Sequence, residues 1–322
     1  MKDELIYIAG SGHSGSTLLN MLLDSHEEIS GLGEIHRFSL AIKNDIKPLL
    51  CSCGKTVLVC PFWVEIIDTL LDDYSISRGE LNDFRTTTAD FMPRDVDSQY
   101  LNKSNNEKLY PISLNRIAMV IGSFWLWNMV KRISPEVNAN YAAIQNSLHL
   151  FDAVRKAKGT PIIVDSTKNP TRLKGLFLLK DGNLFIIHLI RDGRAVCYSR
   201  MRREAVSMEE SAKIWLAEQR KLHLVMHDIP ESAIYKIHYE ELAANPEEVL
   251  EKICEKLKIP YQPEMVNFRS RSGHILGGNP MRFQSEETDI RIDLEWKDKL
   301  TSVDLAIFED IAGNINRKYG YH

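Results

Sequence analysis

The stretch Leu5–Glu34, LIYIAGSGHSGSTLLNMLLDSHEEISGLGE, restricts the possible folds more than any other part of the chain. Leu5–Ala9 is a short apolar run closed by glycine, the pattern of a strand buried on both faces. Gly10-Ser11-Gly12-His13-Ser14-Gly15 follows, rich in residues that tolerate unusual backbone angles. From Ser16 the run Leu18, Leu19, Met21, Leu22, Leu23 predicts a largely buried helix ending near Ser25. Strand, glycine-rich turn and helix in this order bring consecutive N–H groups and the positive end of a helix dipole to one point. That point is an anion site.

The spacing approaches the nucleoside triphosphate loop, G-x-x-x-x-G-K-[ST], as Gly10…Gly15-Ser16-Thr17 with serine in the lysine position. That lysine reaches the outer phosphates, so its absence argues against a kinase or an ATPase. Gly31-Leu32-Gly33-Glu34 reads as a loop returning near the cradle. Beyond it, residues 64–160 read as a mostly helical insertion, with helices over 113–132 and 136–158, the second stopping at Gly159. The apolar segment Ile117–Val130, with Phe124, Trp125 and Trp127, suits either the core or the wall of an acceptor pocket.

After Gly159 short apolar runs, Pro161–Val164, Leu184–Ile190 and Ala233–Tyr239, alternate with helical segments Thr171–Leu179, Arg194–Arg203 and Ser207–His227. A further helix begins at Asn245-Pro246-Glu247-Glu248, an N-cap followed by proline and two acids. The expected fold is α/β: an open parallel sheet with helices on both faces and the phosphate loop after its first strand, in a single domain over 1–322.

Composition removes several function classes. With a net charge of −4, no overall positive field favours nucleic acid. MKDELIYIAG enters a strand without a cleavable apolar segment, and Ile117–Val130 is too short and interrupted to span a membrane. Five cysteines fit a reducing compartment, and the expected location is cytoplasmic. Cys51, Cys53 and Cys60 have the chemistry of three zinc ligands, but no close fourth stands out; the reading favours a non-catalytic role and assigns no metal. Cys197 and Cys254 fall in helices as core residues.

Two further strand ends carry chemistry. In His188-Leu189-Ile190-Arg191-Asp192-Gly193, Arg191 stands at the carboxyl edge of the sheet, where open α/β folds bind ligands, and Ser199 follows about two helical turns on. An arginine and a hydroxyl converging there suit a terminal phosphate. In Asp165-Ser166-Thr167-Lys168-Asn169-Pro170, Lys168 stands at the same edge, at the start of a helix.

On these residues the chain resembles the sulfotransferases that use 3′-phosphoadenosine 5′-phosphosulfate (PAPS). Their loop reads [K/R]-S-G-[S/T]-T before a leucine-rich helix and holds the 5′-phosphosulfate. Here His13-Ser14-Gly15-Ser16-Thr17-Leu18-Leu19 matches it, with His13 in place of the basic residue. The resemblance covers Leu5–Glu34 and Ile162–Leu257. It implies that Gly12, His13, Ser14, Gly15, Ser16 and Thr17 bind the donor, with His13 standing in as a catalytic cation, and that Arg191 and Ser199 hold its 3′-phosphate. Tyr239-Glu240-Glu241-Leu242 resembles the family's Y-E-[D/x]-[L/M], whose tyrosine approaches the adenine. Ser272–Arg282 stands where the family closes its pocket with R-K-G; Asn279 and Arg282 are the substitutes in this chain.

Similarity to the tyrosylprotein sulfotransferases implies two catalytic groups. Their K-[D]-P-x-x-L-K segment, here with Asn169 for the acid, makes Lys168 the stabiliser of the transferring sulfuryl group. Their G-E segment makes Glu34, 21 residues after His13, the general base, with His36 as its competitor. The implied activity is in-line sulfuryl transfer from PAPS to a small-molecule, glycan or peptide hydroxyl, needing no metal. The rivals are a small-molecule kinase and a nucleotide-binding protein without catalysis.

Overall fold

The computed structural model describes residues 4–43, 49–88, 124–269, 273–283 and 290–322. Five parallel strands, β1 (Glu4–Ala9), β2 (Ile29–Gly33), β3 (Ile162–Asp165), β4 (Phe185–Ile190) and β5 (Ile234–His238), form one sheet in the order β2-β3-β1-β4-β5. β1 is the central strand, paired through Ile6↔Val164 on one side and Ile8↔Ile187 on the other. Both its faces are covered, which is why it reads as an unbroken apolar run. Leu5, Tyr7 and Ala9 point into one apolar cluster, and Ile6 and Ile8 into the other.

Helices fill the two layers. α1 (Ser16–Asp24) packs on the Ile6/Ile8 face. Between β2 and β3 lie α2 (Phe38–Lys43), α3 (Pro61–Tyr74), α4 (Phe124–Ile133) and α5 (Pro135–Lys158). α3 and α5 close the Leu5/Tyr7 face through Trp63, Ile66, Leu70, Leu150, Phe151 and Val154. The expected 136–158 helix is α5, capped by Ser134 Oγ accepting from Val137 N–H and ended by Gly159 at φ 68°. Of the expected 113–132 helix, 113–123 lies outside the described residues, as does most of the 64–160 insertion between α3 and α4. In α4, Trp127 is 1% exposed and packs against Gly175 and Tyr141, so it is core. Trp125 is 67% exposed.

The second half follows the predicted alternation: α6 (Pro170–Leu179), α7 (Gly193–Glu204), α8 (Met208–Met226), α9 (Tyr239–Ala244) and α10 (Pro246–Leu257) separate and follow the strands. α11 (Trp296–Lys299) and α12 (Ser302–Lys318) end the chain. α12 packs Phe308 and Ala312 on α7 and α8 around Trp215, forming a third apolar cluster.

One element corrects the sequence reading. Gly31-Leu32-Gly33, expected as loop, belongs to strand β2, paired with β3. Its glycines serve close approach rather than a turn at Gly31: a Cβ there would lie 2.7 Å from Asn20 Nδ2 and 2.8 Å from Asp24 Cβ of α1. Asp24 and Asn20 in turn accept the N–H groups of Gly31 and Gly33 at 2.7 and 3.2 Å.

Candidate active site

Every strand delivers a candidate residue at its carboxyl end. The loop Gly10–Gly15 follows β1, Glu34 follows β2, Lys168 lies three residues beyond β3, Arg191 follows β4 and Tyr239 follows β5. The strand order therefore lays them across the sheet edge as Glu34, Lys168, loop, Arg191, Tyr239. β1, from which the sheet grows to both sides, is the place where open α/β sheets leave a crevice. A cleft of about 1030 Å³ opens there, and all five lie on its wall.

The loop is held by its glycines. Gly15 sits at φ 93° at the start of α1, where a Cβ would come 2.5 Å from the ring of Tyr239. Among the described residues no side chain caps α1, which leaves its N-terminal N–H groups uncapped, and Ser14 Oγ is buried there with no hydrogen-bond partner. His13 takes a left-handed conformation, φ 62°, with Nδ1 3.2 Å from Ser199 Oγ and Nε2 3.3 Å from Glu204 Oε1. Burial pushes its imidazole below the usual value; Glu204 opposes this, while Arg200 and Arg203 add to it. A lowered value favours the uncharged imidazole near neutral pH, and the ring links Ser199 to Glu204. Positive charge on this side of the cleft belongs to Arg191, Arg200 and Arg203.

On the β2–β3 side the charges are paired. Lys168, at φ 64°, places Nζ 2.9 Å from Glu34 Oε1, and Arg37 Nε lies 2.8 Å from Glu34 Oε2. Burial alone would raise the Glu34 carboxyl, but Lys168 and then Arg37 outweigh it and hold the group at about 2. The turn carrying Lys168 rests on a fully buried ion pair, Arg172 Nε to Asp165 Oδ2 at 2.6 Å. Asp165 Oδ1 also accepts the Thr167 N–H and hydroxyl, and Arg172 Nη1 donates to Ser147 Oγ at 2.9 Å. Asn169 caps α6 by accepting from Arg172 N–H at 2.9 Å, a task asparagine performs as well as aspartate. His36 is pushed to about 4 by burial, against the opposing charge of Glu34, and its Nδ1 is buried without a partner.

On the β4–β5 side the arginines stand among the carboxylates Asp293, Glu218 and Glu204. Arg191 Nη1 donates to the His13 carbonyl at 2.9 Å and Nη2 to Asp293 Oδ2 at 3.0 Å. Its guanidinium lies 4.2 Å from the Tyr239 ring centroid, and its buried Nε has no hydrogen-bond partner among the described residues. Arg200, also buried, is gripped by both oxygens of Glu218 at 2.9 and 3.0 Å.

The segment 273–283 covers the loop from above; Ser272 of the expected loop lies outside the described residues. Gly277 and Gly278, at φ 68° and 83°, pass so close to Glu34 and Thr17 that a Cβ would meet Glu34 Oε2 at 2.7 Å or Thr17 Oγ1 at 2.6 Å. Asn279 donates its N–H to Thr17 Oγ1 at 2.9 Å, while Arg282 Nη1 donates to the Gly278 carbonyl at 2.9 Å. Asn279 and Arg282 thus stand at the cleft wall and brace this segment.

Sequence reasoning missed the Asp165–Arg172 pair, the carboxylates Glu204, Glu218 and Asp293, and a partner for the cysteines. That partner is His274, 223 residues from Cys51, which the fold brings beside Cys51 and Cys60. No local spacing could have found it. Asp165 and Arg172 were open to a reader: a carboxylate ending an apolar strand and an arginine seven residues on, both in buried surroundings, require each other.

Comparison with known proteins follows this geometry. The sulfotransferase family model matches residues 89–263. A putative protein-tyrosine sulfotransferase of Caenorhabditis briggsae is 28% identical over 141 residues, 40% of this chain and 50% of that protein, so the match spans about half the relative's length. Among solved structures, the sulfotransferase domain from the Synechococcus PCC 7002 olefin synthase superposes with a TM-score of 0.53 at 17% identity, over 97% of this chain and 96% of that one. The sulfotransferase domain from the curacin biosynthetic pathway gives 0.50 at 14% identity, over 100% and 99%. At such identities these two likenesses speak for the fold. With more than half its length matched by the family model, this chain belongs to the sulfotransferase family.

Proposed function

We propose that the chain moves a sulfuryl group from PAPS to a hydroxyl acceptor by in-line displacement. The observation that carries this reading is the division of the cleft about the loop: on the β4–β5 side Arg191, whose buried Nε has no hydrogen-bond partner among the described residues, and on the β2–β3 side a carboxylate locked to a lysine. The first suits a nucleotide bisphosphate and the second a proton and charge transfer. The cleft fits a nucleotide by volume, at the upper end of the roughly 300–1,000 Å³ usual for small-molecule sites. It also offers buried polar atoms, Ser14 Oγ and Arg191 Nε, that have no hydrogen-bond partner among the described residues.

PAPS, when bound, supplies a sulfuryl group on a phosphate that can leave. Gly12, Ser14, Gly15, Ser16 and Thr17 would hold that phosphate at the N-terminus of α1. Arg191 and Ser199 would hold the 3′-phosphate, with His13 orienting Ser199, and Tyr239 would lie against the base. Asn279 and Arg282 keep the covering segment on Thr17. Lys168 would stabilise the negative charge that develops as the sulfuryl bond breaks. Its present partner is Glu34, and this explains how so acidic a carboxyl can act as a base. Once Lys168 is drawn to the leaving oxygen, Glu34 loses its strongest stabilising charge and its proton affinity rises, at the moment an acceptor hydroxyl must give up a proton.

The described residues include no helix long and apolar enough to cross a membrane. None of the five cysteines is in a disulfide, a cysteine usage that suits a reducing compartment. The relative's name makes a tyrosine phenol the first acceptor to offer. Calorimetric titration tests the donor: adenosine 3′,5′-bisphosphate should bind, adenosine 5′-monophosphate should bind more weakly and ATP should not bind. Tight binding of ATP, with phosphoryl transfer, would replace this reading with the kinase one.

A further inference from the structure

Outside the cleft, Cys51, Cys53, Cys60 and His274 converge so that their four ligand atoms all lie within 4.8 Å of one another. The separations have the scale of a coordination shell. A tetrahedral zinc ion with Zn–S of about 2.3 Å and Zn–N of about 2.0 Å sets its sulfurs about 3.8 Å apart and each sulfur about 3.5 Å from the nitrogen. Here Cys53 Sγ–Cys60 Sγ is 3.5 Å and Cys60 Sγ–Cys51 Sγ is 3.8 Å. His274 Nδ1 lies 3.5 Å from Cys51 Sγ and 3.3 Å from Cys60 Sγ.

Backbone donors also surround the sulfurs. The backbone N–H groups of Cys53, Lys55 and Trp63 are directed at the sulfurs of Cys51, Cys53 and Cys60 respectively. Cys60 is the N-cap residue of α3, where the helix dipole favours negative charge. A tight turn with Gly54 at φ 80° folds Cys51 and Cys53 back toward each other, closed by Cys51 N–H to the Lys55 carbonyl at 2.8 Å. Phe62 stacks on His274 at 4.7 Å and 9°, fixing the ring plane as an outer layer does for a metal ligand.

We infer that Cys51, Cys53, Cys60 and His274 form a structural zinc site that fastens the segment 273–279 over the cleft. Three thiolates and one imidazole fill a tetrahedral shell and leave no position for substrate, so the ion is structural rather than catalytic. Binding exchanges the three thiol protons for one divalent ion, without electron transfer. The fastening is direct in the backbone. Cys51 bridges Leu276, Ser52 N–H donates to the Ile275 carbonyl at 3.1 Å, and Ile275 N–H donates to Ser52 Oγ at 2.9 Å. The same segment then bonds Glu34 N–H through the Leu276 carbonyl at 2.7 Å and reaches Thr17 through Asn279. Zinc would thus set the height of the roof above the loop and Glu34.

Elemental analysis of the intact chain, purified without added metal and desalted, tests this directly. About one zinc per chain is expected. Replacement by cobalt(II) should give the intense thiolate-to-metal charge-transfer band and the d–d bands of a tetrahedral site. Cys53→Ser, at the most exposed of the three cysteines, should lower zinc affinity by at least tenfold and change the cobalt spectrum. Chelation should speed amide exchange at Leu276 and Asn279 while sparing β4. Zinc below a tenth of the chain concentration, no cobalt uptake, or an intact mass showing a disulfide among the three cysteines would overturn the proposal. None of these readouts involves a nucleotide, so a zinc-loaded chain that fails to bind adenosine 3′,5′-bisphosphate would count against the proposed function alone.

Discussion

The two sides of the loop handle charge in opposite ways. On the β2–β3 side, Glu34 is enclosed by Lys168 at 2.9 Å and Arg37 at 2.8 Å, and the supporting turn is itself built on the Asp165–Arg172 pair. On the β4–β5 side, Arg191 pairs with Asp293, whose side chain is 42% exposed, and its Nε has no hydrogen-bond partner among the described residues. The β2–β3 side encloses its carboxylate between two cations and holds it in register for a reaction; the β4–β5 side presents a guanidinium N–H that an anion can take. The same sheet edge produces both because strand order separates them by the width of β1 and its loop.

If that division is right, damage on the two sides must show up in different measurements. The largest effect should come from Glu34→Gln, which keeps size and hydrogen bonding but cannot take a proton. The chemical step should slow by roughly 10²–10⁴-fold in single-turnover kinetics while bisphosphate affinity barely moves. The defect should shrink with acidic phenols, which hardly need a base, whereas a Lys168→Ala defect should persist with them. Parental rates for Glu34→Gln with every acceptor would transfer the base role to His36.

The β2–β3 side should also register in stability. Glu34 has a depressed carboxyl, from 4.5 to about 2, so its contribution is complete above the unfolded value and is lost as pH falls toward 2. The native state should lose on the order of 3 kcal/mol more than Glu34→Gln across that interval, read from urea unfolding at stepped pH. Parallel profiles for the two proteins would mean that the Lys168–Glu34–Arg37 cluster is not formed in solution.

Smaller effects belong to the other side. Arg191→Ala should weaken adenosine 3′,5′-bisphosphate by about 1.5–3 kcal/mol, the scale of a hydrogen bond to a charged group, and adenosine 5′-monophosphate much less. Equal losses for both ligands would remove Arg191 from the 3′-phosphate. The least effect should come from His13→Ala, about 1 kcal/mol of bisphosphate affinity, through Ser199. Because its lowered value favours a neutral His13 near pH 7, that variant should leave the alkaline limb of the rate profile unchanged.

The difference between the sides also explains what was legible in the sequence. The sheet and its strand ends were, because β1, β3 and β4 are buried on both faces and announce themselves as apolar runs closed by Gly10, Asp165 or Arg191. β2 was hidden, since Ile29–Gly33 is held by α1 crossing its glycines rather than by strand-forming side chains. α12 went unread, though Thr301 and Asp304 form a capping box and Phe308, Ile311, Ala312 and Ile315 share one face. Candidate site residues next to a strand end were nameable. Their charge states were not: the lowered His13 follows from its burial and then from Arg200 and Arg203, and the acidic Glu34 from Lys168 and Arg37, which the fold or the next turn brings to them. His274 shows the same limit over the longest range, for only the fold brings it to the cysteines.

The account stands or falls on sulfuryl transfer itself. Sulfur-labelled PAPS should be incubated with the purified chain and an acceptor panel headed by tyrosine peptides and simple phenols, then with a metabolite extract, and the products resolved by mass spectrometry. The account predicts label in a hydroxyl acceptor now heavier by one sulfuryl group, with adenosine 3′,5′-bisphosphate released in equal amount. Bisphosphate binding with no labelled product from any acceptor, or label passing only to water, would contradict it.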